Sequence, residues 1–274
     1  MKKLVSLLIT LLLALTCAFS MTACGGSSVR DLDDILKSGT ITMATNAEFA
    51  PFESKVGGDY VGIDIDIAEK IAEYLGVELV INNMDFEAVV TSVQNGQSDF
   101  AMAGLTISET RKNAIDFSEA YFGAAQYVVV KSTDTTFDAC QSKEDVDTIL
   151  AGLSGDAAAQ SGTTGYYYIK GSLDFGFSGF SNLNAVAYES AAMGAMAVVN
   201  GQAKVLIVDD EVASQIAATN TQVKVVPYAL SSEEYGIGVN KSNPALTLVI
   251  NKVLAELEES GELAEIFARH TAQA

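Results

Sequence analysis

Residues 61–76 read VGIDIDIAEKIAEYLG, and the spacing within them predicts an amphipathic helix, because Ile63, Ile67, Ile71 and Leu75 recur every four residues. Asp64 and Asp66 fall in the first turn, where a cap and the positive end of the helix dipole favour carboxylates, and Gly76 can close the helix. Before it come the β-prone residues 40–45 (TITMAT) and a turn region with Pro51 and Gly57-Gly58; after it comes a strand-like stretch at 77–81. Strand, helix and strand in that order define a parallel or mixed sheet covered on both faces.

The alternation continues in both directions. Residues 29–38 read as a short helix, 86–94 as a longer one, and 99–105 as a strand that runs into 106–111. A strand at 126–131 is followed by a polar stretch, 132–144, which marks passage into a second lobe. There 157–160 leads into SGTTG, 191–200 resumes helical patterning and 205–208 is a buried-type strand. The strand at 223–229 contains Pro227, and 236–239 returns the chain to the first lobe. Asn243 and Pro244 then open an amphipathic helix striped by Leu246, Val249, Ile250, Val253 and Leu257 and stopped at Gly261. Two βα halves joined by two extended crossings leave a cleft between them, the usual place for a ligand and for hinge closure.

Composition excludes several functions. The chain has 35 acidic and 16 basic residues, a net charge of -19, and no Lys/Arg block beyond Lys2-Lys3, so it offers no basic face for nucleic acid. Its only histidine, His270, lies near the C-terminus, which leaves little for a zinc site or a Cys-His or Ser-His nucleophile. Of three cysteines, Cys17 lies in the leader and Cys140 stands alone.

The first residues read as an export signal. Lys2 and Lys3 form its positive end and Leu4 to Leu15 its apolar stretch, too short to span a membrane comfortably. Residues 21–28, MTACGGSS, resemble a bacterial lipoprotein processing site: small residues, a cysteine, then a Gly/Ser tether. On that reading 1–23 is a lipoprotein signal peptide, Cys24 is the acylated first residue of the exported chain, and 24–38 is a tether with a short helix. The alternative is ordinary A-x-A-type cleavage with Cys24 unremarkable.

Four segments resemble the extracellular solute-binding proteins of polar amino-acid ABC transporters: ATNAEFAPFE at 44–53, VGIDIDIA at 61–68, AGLTISETRK at 103–112 and QSGTTG at 160–165. The resemblance spans about Gly39 to Arg269. It implies a two-lobed α/β fold of the periplasmic-binding-protein-like type II class, with a hinge of two crossing strands and a ligand cleft between the lobes. The expected division is 39–128 plus 229–274 for lobe 1 and 129–228 for lobe 2. It also implies a substrate-binding component that captures a free, polar amino acid by hinge closure and hands it to permease subunits, lipid-anchored outside the cytoplasm, with no cofactor and no metal.

An amino acid brings a carboxylate, an ammonium and a side chain, each needing a partner once water is excluded. Arg111 suits the carboxylate, because a guanidinium forms two parallel charge-assisted bonds with it. Ser108 reads as a cap that puts Arg111 in the first helical turn, where the dipole disfavours a cation and a bound anion would relieve it. A solvated Arg111 balanced by Glu109 is the bland alternative. The resemblance adds Gly104, Thr106 and Thr164 around the carboxylate, with Thr163 and Thr164 at a helix start, and Asp210 for the ammonium. Asp209 is the adjacent alternative, and both acids could simply cap the next helix. Phe49 and Phe86 match the rings that sandwich the ligand side chain, Asn46 and Glu48 the loop that reads it, and Phe52 reads as core. Some relatives that bind basic amino acids carry an acid where Asn46 stands. Two stretches depart from the family: Asp156-Ala157-Ala158-Ala159, where poor strand formers suggest an edge that packs differently, and 176–180 (GFSGF), a candidate loop bordering the cleft. The alternatives to a transport component are an enzyme on the same scaffold, such as a prephenate or arogenate dehydratase, and a ligand-sensing lipoprotein.

Overall fold

The computed structural model describes residues 29–271; the expected export signal and Cys24 lie outside them. Helix α1 (Leu32–Ser38) is capped by the Asp31 side chain and ends at Gly39 in the left-handed region. Strand β1 (Thr40–Thr45) follows, then a small antiparallel sheet of β2 (Glu48–Phe49), β3 (Glu53–Val56) and β4 (Asp59–Val61). Helix α2 (Ile63–Leu75) leads to β5 (Glu78–Asn83), α3 (Phe86–Gln94), β6 (Phe100–Ala101), α4 (Glu109–Ala114) and β7 (Asp116–Ala124).

The chain then crosses at Ala125 into β8 (Gln126–Lys131), α5 (Lys143–Gly152), β9 (Gly155–Gln160), α6 (Thr164–Lys170), β10 (Leu183–Tyr188), α7 (Ala191–Val199), β11 (Leu206–Asp209), α8 (Asp210–Thr219) and β12 (Val223–Val226). It returns through 227–232 into β13 (Glu233–Val239), α9 (Pro244–Ser260) and α10 (Glu262–Thr271). One mixed sheet has the order β5-β1-β6-β13-β7, and the other β10-β9-β11-β8-β12. Each carries helices on its faces, giving two α/β lobes joined by two crossings.

The helix over 63–75 forms where the four-residue spacing puts it, and its buried face is wider than the predicted stripe: Ile63, Ile65, Ile67, Ala68, Ile71 and Ala72 are all inside, with Leu75 only partly buried. Each buried isoleucine contributes roughly 1.5–3 kcal/mol. Its two first-turn aspartates are not caps. Gly62 occupies the cap position without a side-chain bond, Asp64 is fully buried, and Asp66 accepts from Arg269 at 2.6 Å and contacts His270 at 2.8 Å, tying α10 down. The expected strand at 99–105 is two residues long, Phe100–Ala101, and the chain then turns at Gly104, whose φ is +53°. The alanine strand is not an edge: β9 lies between β10 and β11, with Ala157, Ala158 and Ala159 wholly buried. Small residues serve there because α7 packs close. A Cβ on Gly194 would sit 3.5 Å from the Ala158 Cβ and 2.9 Å from Leu206 Cδ1. Cys140 is a buried free thiol, and burial raises its pKa. Among the described residues no helix is long and apolar enough to cross a membrane.

Candidate functional site

The lobes are closed on each other along the ends of β1, β9 and β11. Gln160 Nε2 donates to Asn46 Oδ1 at 2.7 Å, Ser161 Oγ to Glu87 Oε2 at 2.8 Å, and Thr164 Oγ1 to Thr106 Oγ1 at 3.1 Å. The Thr110 amide donates to Asp174 at 3.0 Å, and the Tyr235 hydroxyl donates to Asp209. Each bond joins one lobe to the other.

Arg111 stands in the middle of this seam. Ser108 caps α4, accepting from the Arg111 amide at 3.3 Å, which fixes Arg111 in the first turn as the sequence predicts. Its guanidinium donates to the Thr106 carbonyl at 2.6 Å and, across the seam, to the Gly162 carbonyl at 3.3 Å, and it lies 5.3 Å from the centre of the Phe86 ring. Both hydrogen-bond partners are neutral. The other two arginines are paired with carboxylates, Arg30 with Asp99 and Arg269 with Asp66, whereas Arg111 makes no ion pair with any described residue. Burial lowers its pKa; the charges of Glu233, Tyr167, Asp209 and Tyr235 act the other way.

Of the remaining predicted residues, Phe86, Thr106 and Thr164 meet Arg111 or its direct partner, and all but one are held by contacts of their own. Thr106 donates its hydroxyl proton to Glu233 at 3.0 Å, and Glu233 also accepts from Ser231 at 2.6 Å. Thr163 caps α6, which carries the adjacent Thr164. The Gly104 amide is already committed to Asp64 at 2.9 Å, so what its backbone offers the cleft is its carbonyl, an acceptor. Phe49 is 5% exposed, and its ring lies so close that a Cβ on Gly104 would be 2.8 Å from Phe49 Cε1. Asn46 is held by the Met84 carbonyl at 2.9 Å as well as by Gln160. Phe52 is core, edge-on to Phe122 and Tyr235. The exception is Glu48, exposed on β2 with its side chain bonded to no described group.

The two neighbouring aspartates separate by environment. Asp209 is 3% exposed and occupies the cap position of α8 without a side-chain bond to the helix; burial, then Glu233, pushes its pKa well above the usual carboxylate range, and the Tyr235 hydroxyl bond opposes them. Asp210 is half-buried at the start of α8; burial raises its pKa, and backbone hydrogen bonds, the Glu211 amide at 3.0 Å first among them, oppose it. Between the lobes lies a cavity of about 200 Å³ lined by Asp85, Phe86, Glu87, Ser161, Tyr188 and Glu189. Three carboxylates and two rings border it, and none of its lining residues is cationic.

Sequence reading missed Gln160, Glu87, Tyr235 and Asp174, which cross the seam, and Glu233, which accepts from Thr106 on the lobe 1 side of it. Gln160 sat inside a motif already quoted, and Asp174 precedes the stretch that departs from the family. The other three carry no local signal, because their partners come from distant parts of the chain.

Two α/β lobes closed over a cationic side chain that has no carboxylate partner among the described residues form the architecture of a solute-binding protein. The profile described as bacterial extracellular solute-binding proteins, family 3, matches residues 41–273, and the chain belongs to that family. Curated relatives include the arginine-binding extracellular protein ArtP of Bacillus subtilis, 27% identical over 93% of this chain and 94% of its own length. A probable histidine-binding protein of Neisseria gonorrhoeae is 27% identical over 95% of this chain and 94% of its own. Among solved structures, the amino-acid ABC transporter substrate-binding protein AbpA of Streptococcus pneumoniae, bound to L-arginine, has a TM-score of 0.77 at 28% identity, covering 88% of this chain and 98% of its own. An ancestral amino acid-binding protein, a precursor of cyclohexadienyl dehydratase, has a TM-score of 0.77 at 29% identity, covering 88% of this chain and 99% of its own.

Proposed function

We propose that this protein binds a free cationic amino acid, L-arginine in the first place, and delivers it to the permease of an ABC transporter without catalysing a reaction. The observation that carries this reading is Arg111, a partly buried guanidinium bonded only to carbonyl oxygens. It would take the ligand carboxylate, together with Thr106 and Thr164. Asp210, whose carboxylate has lone pairs to spare, would take the ammonium with the Gly104 carbonyl beside it. Asp209 is already used by Tyr235. Phe49 and Phe86 would flank the side chain and Asn46 would read it.

The cationic choice departs from the sequence expectation of an unspecified polar ligand. It rests on the cavity bordered by Asp85, Glu87 and Glu189, three exposed carboxylates with no cation among the lining residues, since a positive side chain beside them is favoured and a negative one repelled, by an amount that solvent screens. The names of the arginine-binding relatives point the same way. Anchoring through a lipid on Cys24 belongs to this proposal too.

A thermal-shift screen against the twenty amino acids tests the reading. Arginine and lysine should give the largest stabilisation, about 2.7 kcal/mol at 100 times the dissociation constant. Glutamate or a purely apolar amino acid giving the largest shift contradicts it. Release of phenylpyruvate from prephenate would establish the catalytic alternative.

The Asp174 contact with the Thr110 amide ties the two lobes together beside Arg111. The bond is partly solvated, so Asp174→Ala is expected to cost about 1 kcal/mol of closure, read in stopped-flow as ligand release faster by a factor of about five.

A further inference from the structure

Behind the proposed ligand site, two carboxyl groups are buried side by side. Glu53, on β3, and Asp64, on α2, are both 0% exposed. Asp64 is fully engaged: one oxygen accepts from the Tyr121 hydroxyl at 2.7 Å and the other from the Gly104 amide at 2.9 Å. Glu53 is not; neither of its oxygens meets a donor among the described residues. The ionisable groups that bear on Glu53 are Asp64 and, from the second lobe, Asp209; those on Asp64 are Glu53 and Tyr121. All are acids. Two adjacent charges without a cation cannot both persist in a site closed to water.

One arrangement relieves the clash and pairs one of the two Glu53 oxygens. A neutral Glu53 donates its O–H to Asp64, and the Asp64 carboxylate then accepts from Glu53, Tyr121 and Gly104 together. We infer that Glu53 is a positioning residue: as a carboxylic acid it holds the Asp64 carboxylate, which fixes the Gly104 amide and so sets the turn that presents Gly104 and Thr106 to the ligand. The Gly104 end of this relay leaves no slack, because its φ is +53° and the Phe49 ring is packed against it. Glu53 pairs directly with Phe49 in the β2–β3 register, so the relay and the aromatic wall are built on one hairpin. Burial first, then Asp64, raises the Glu53 pKa well above its ordinary value, and burial raises that of Asp64 to about 6 against the pull of its donors.

The sign of the pH dependence follows. A carboxyl whose folded pKa is raised contributes stability that is fully present below its unfolded value and is lost as pH rises through the folded one. Wild-type protein should therefore lose stability on going from about pH 4.3 upward through the folded value of Glu53, and E53Q should remove that component. This inference rests on the proposed site only for its binding arm.

The test compares purified wild type, E53Q, E53A and D64N. At neutral pH the wild-type-minus-E53Q infrared difference spectrum should hold the C=O stretch of one protonated carboxylic acid, beyond any band from Asp209, whose own pKa is raised to about 7. L-Arginine affinity should stay within about threefold of wild type in E53Q, whose amide still donates to Asp64, and fall by at least about tenfold in E53A and D64N. The inference is overturned if the difference spectrum lacks that carboxylic acid band, if E53A binds like wild type, or if D64N retains affinity while E53Q loses it. Because the infrared and pH-stability arms need no ligand, they stand even if no amino acid binds, a result that would sink the proposed function alone.

Discussion

Replacing Arg111 with methionine is expected to weaken L-arginine binding by two to three orders of magnitude, roughly 3–4 kcal/mol, while leaving the unliganded protein as stable as before or more so. The two halves have one cause. A cation withdrawn from water and bonded only to carbonyls gains less from the protein than it loses in hydration, and an apolar side chain of similar volume does not carry that penalty. Bound ligand reverses the balance, because a carboxylate supplies two charge-assisted bonds that Thr106 and Gly162 cannot. Arg111→Lys should fall between, keeping charge and losing the fork. Calorimetric titration and a scanning melt of the same samples check both halves. Unchanged affinity with a lowered melting temperature would make Arg111 a structural residue.

Gly62→Ala should produce the largest loss of stability, about 3–5 kcal/mol. A Cβ there would sit 2.1 Å from the Phe52 carbonyl oxygen and 2.9 Å from the Glu53 amide nitrogen, at a φ of +139°. Backbone cannot rotate away as a side chain would, so α2 and the β3 strand have to separate. Gly76 makes the control. Its φ is +67° with nothing within 4 Å of the added atom, so Gly76→Ala costs only the left-handed conformation, about 1 kcal/mol. Urea denaturation measures the pair, and equal losses would mean that the contact between Gly62 and Phe52 is not tight.

The same glycine shows how far the sequence could be read. The run from Val61 to Gly76 carried its own period and its own stop, so α2 was legible, as was α9 with Asn243, Pro244 and Gly261 at its ends. The sheet of β2, β3 and β4 was not, since strands of two to four residues are too short to show alternation. Asp64 was misread for a different reason. A first-turn aspartate looks like a dipole partner, and only the Tyr121 hydroxyl, 57 residues away in sequence, and the Gly104 amide turn it into a buried acceptor. The alanines of β9 were misjudged as an edge because propensity carries no information about the helix packed against them, and the close approach at Gly194 is what makes small residues fit. Arg111 was legible through its motif. The residues that close the lobes over it come from separate strands and loops, and no local pattern joins them.

The central claim is that Arg111 recognises the carboxylate of a cationic amino acid. Titrating the purified protein with L-arginine and with agmatine, which keeps the guanidinium and lacks the carboxylate, tests it most directly. L-Arginine should bind at one equivalent and agmatine at least about a hundredfold more weakly. No heat of binding with L-arginine, or equal affinity for the two, would contradict the account.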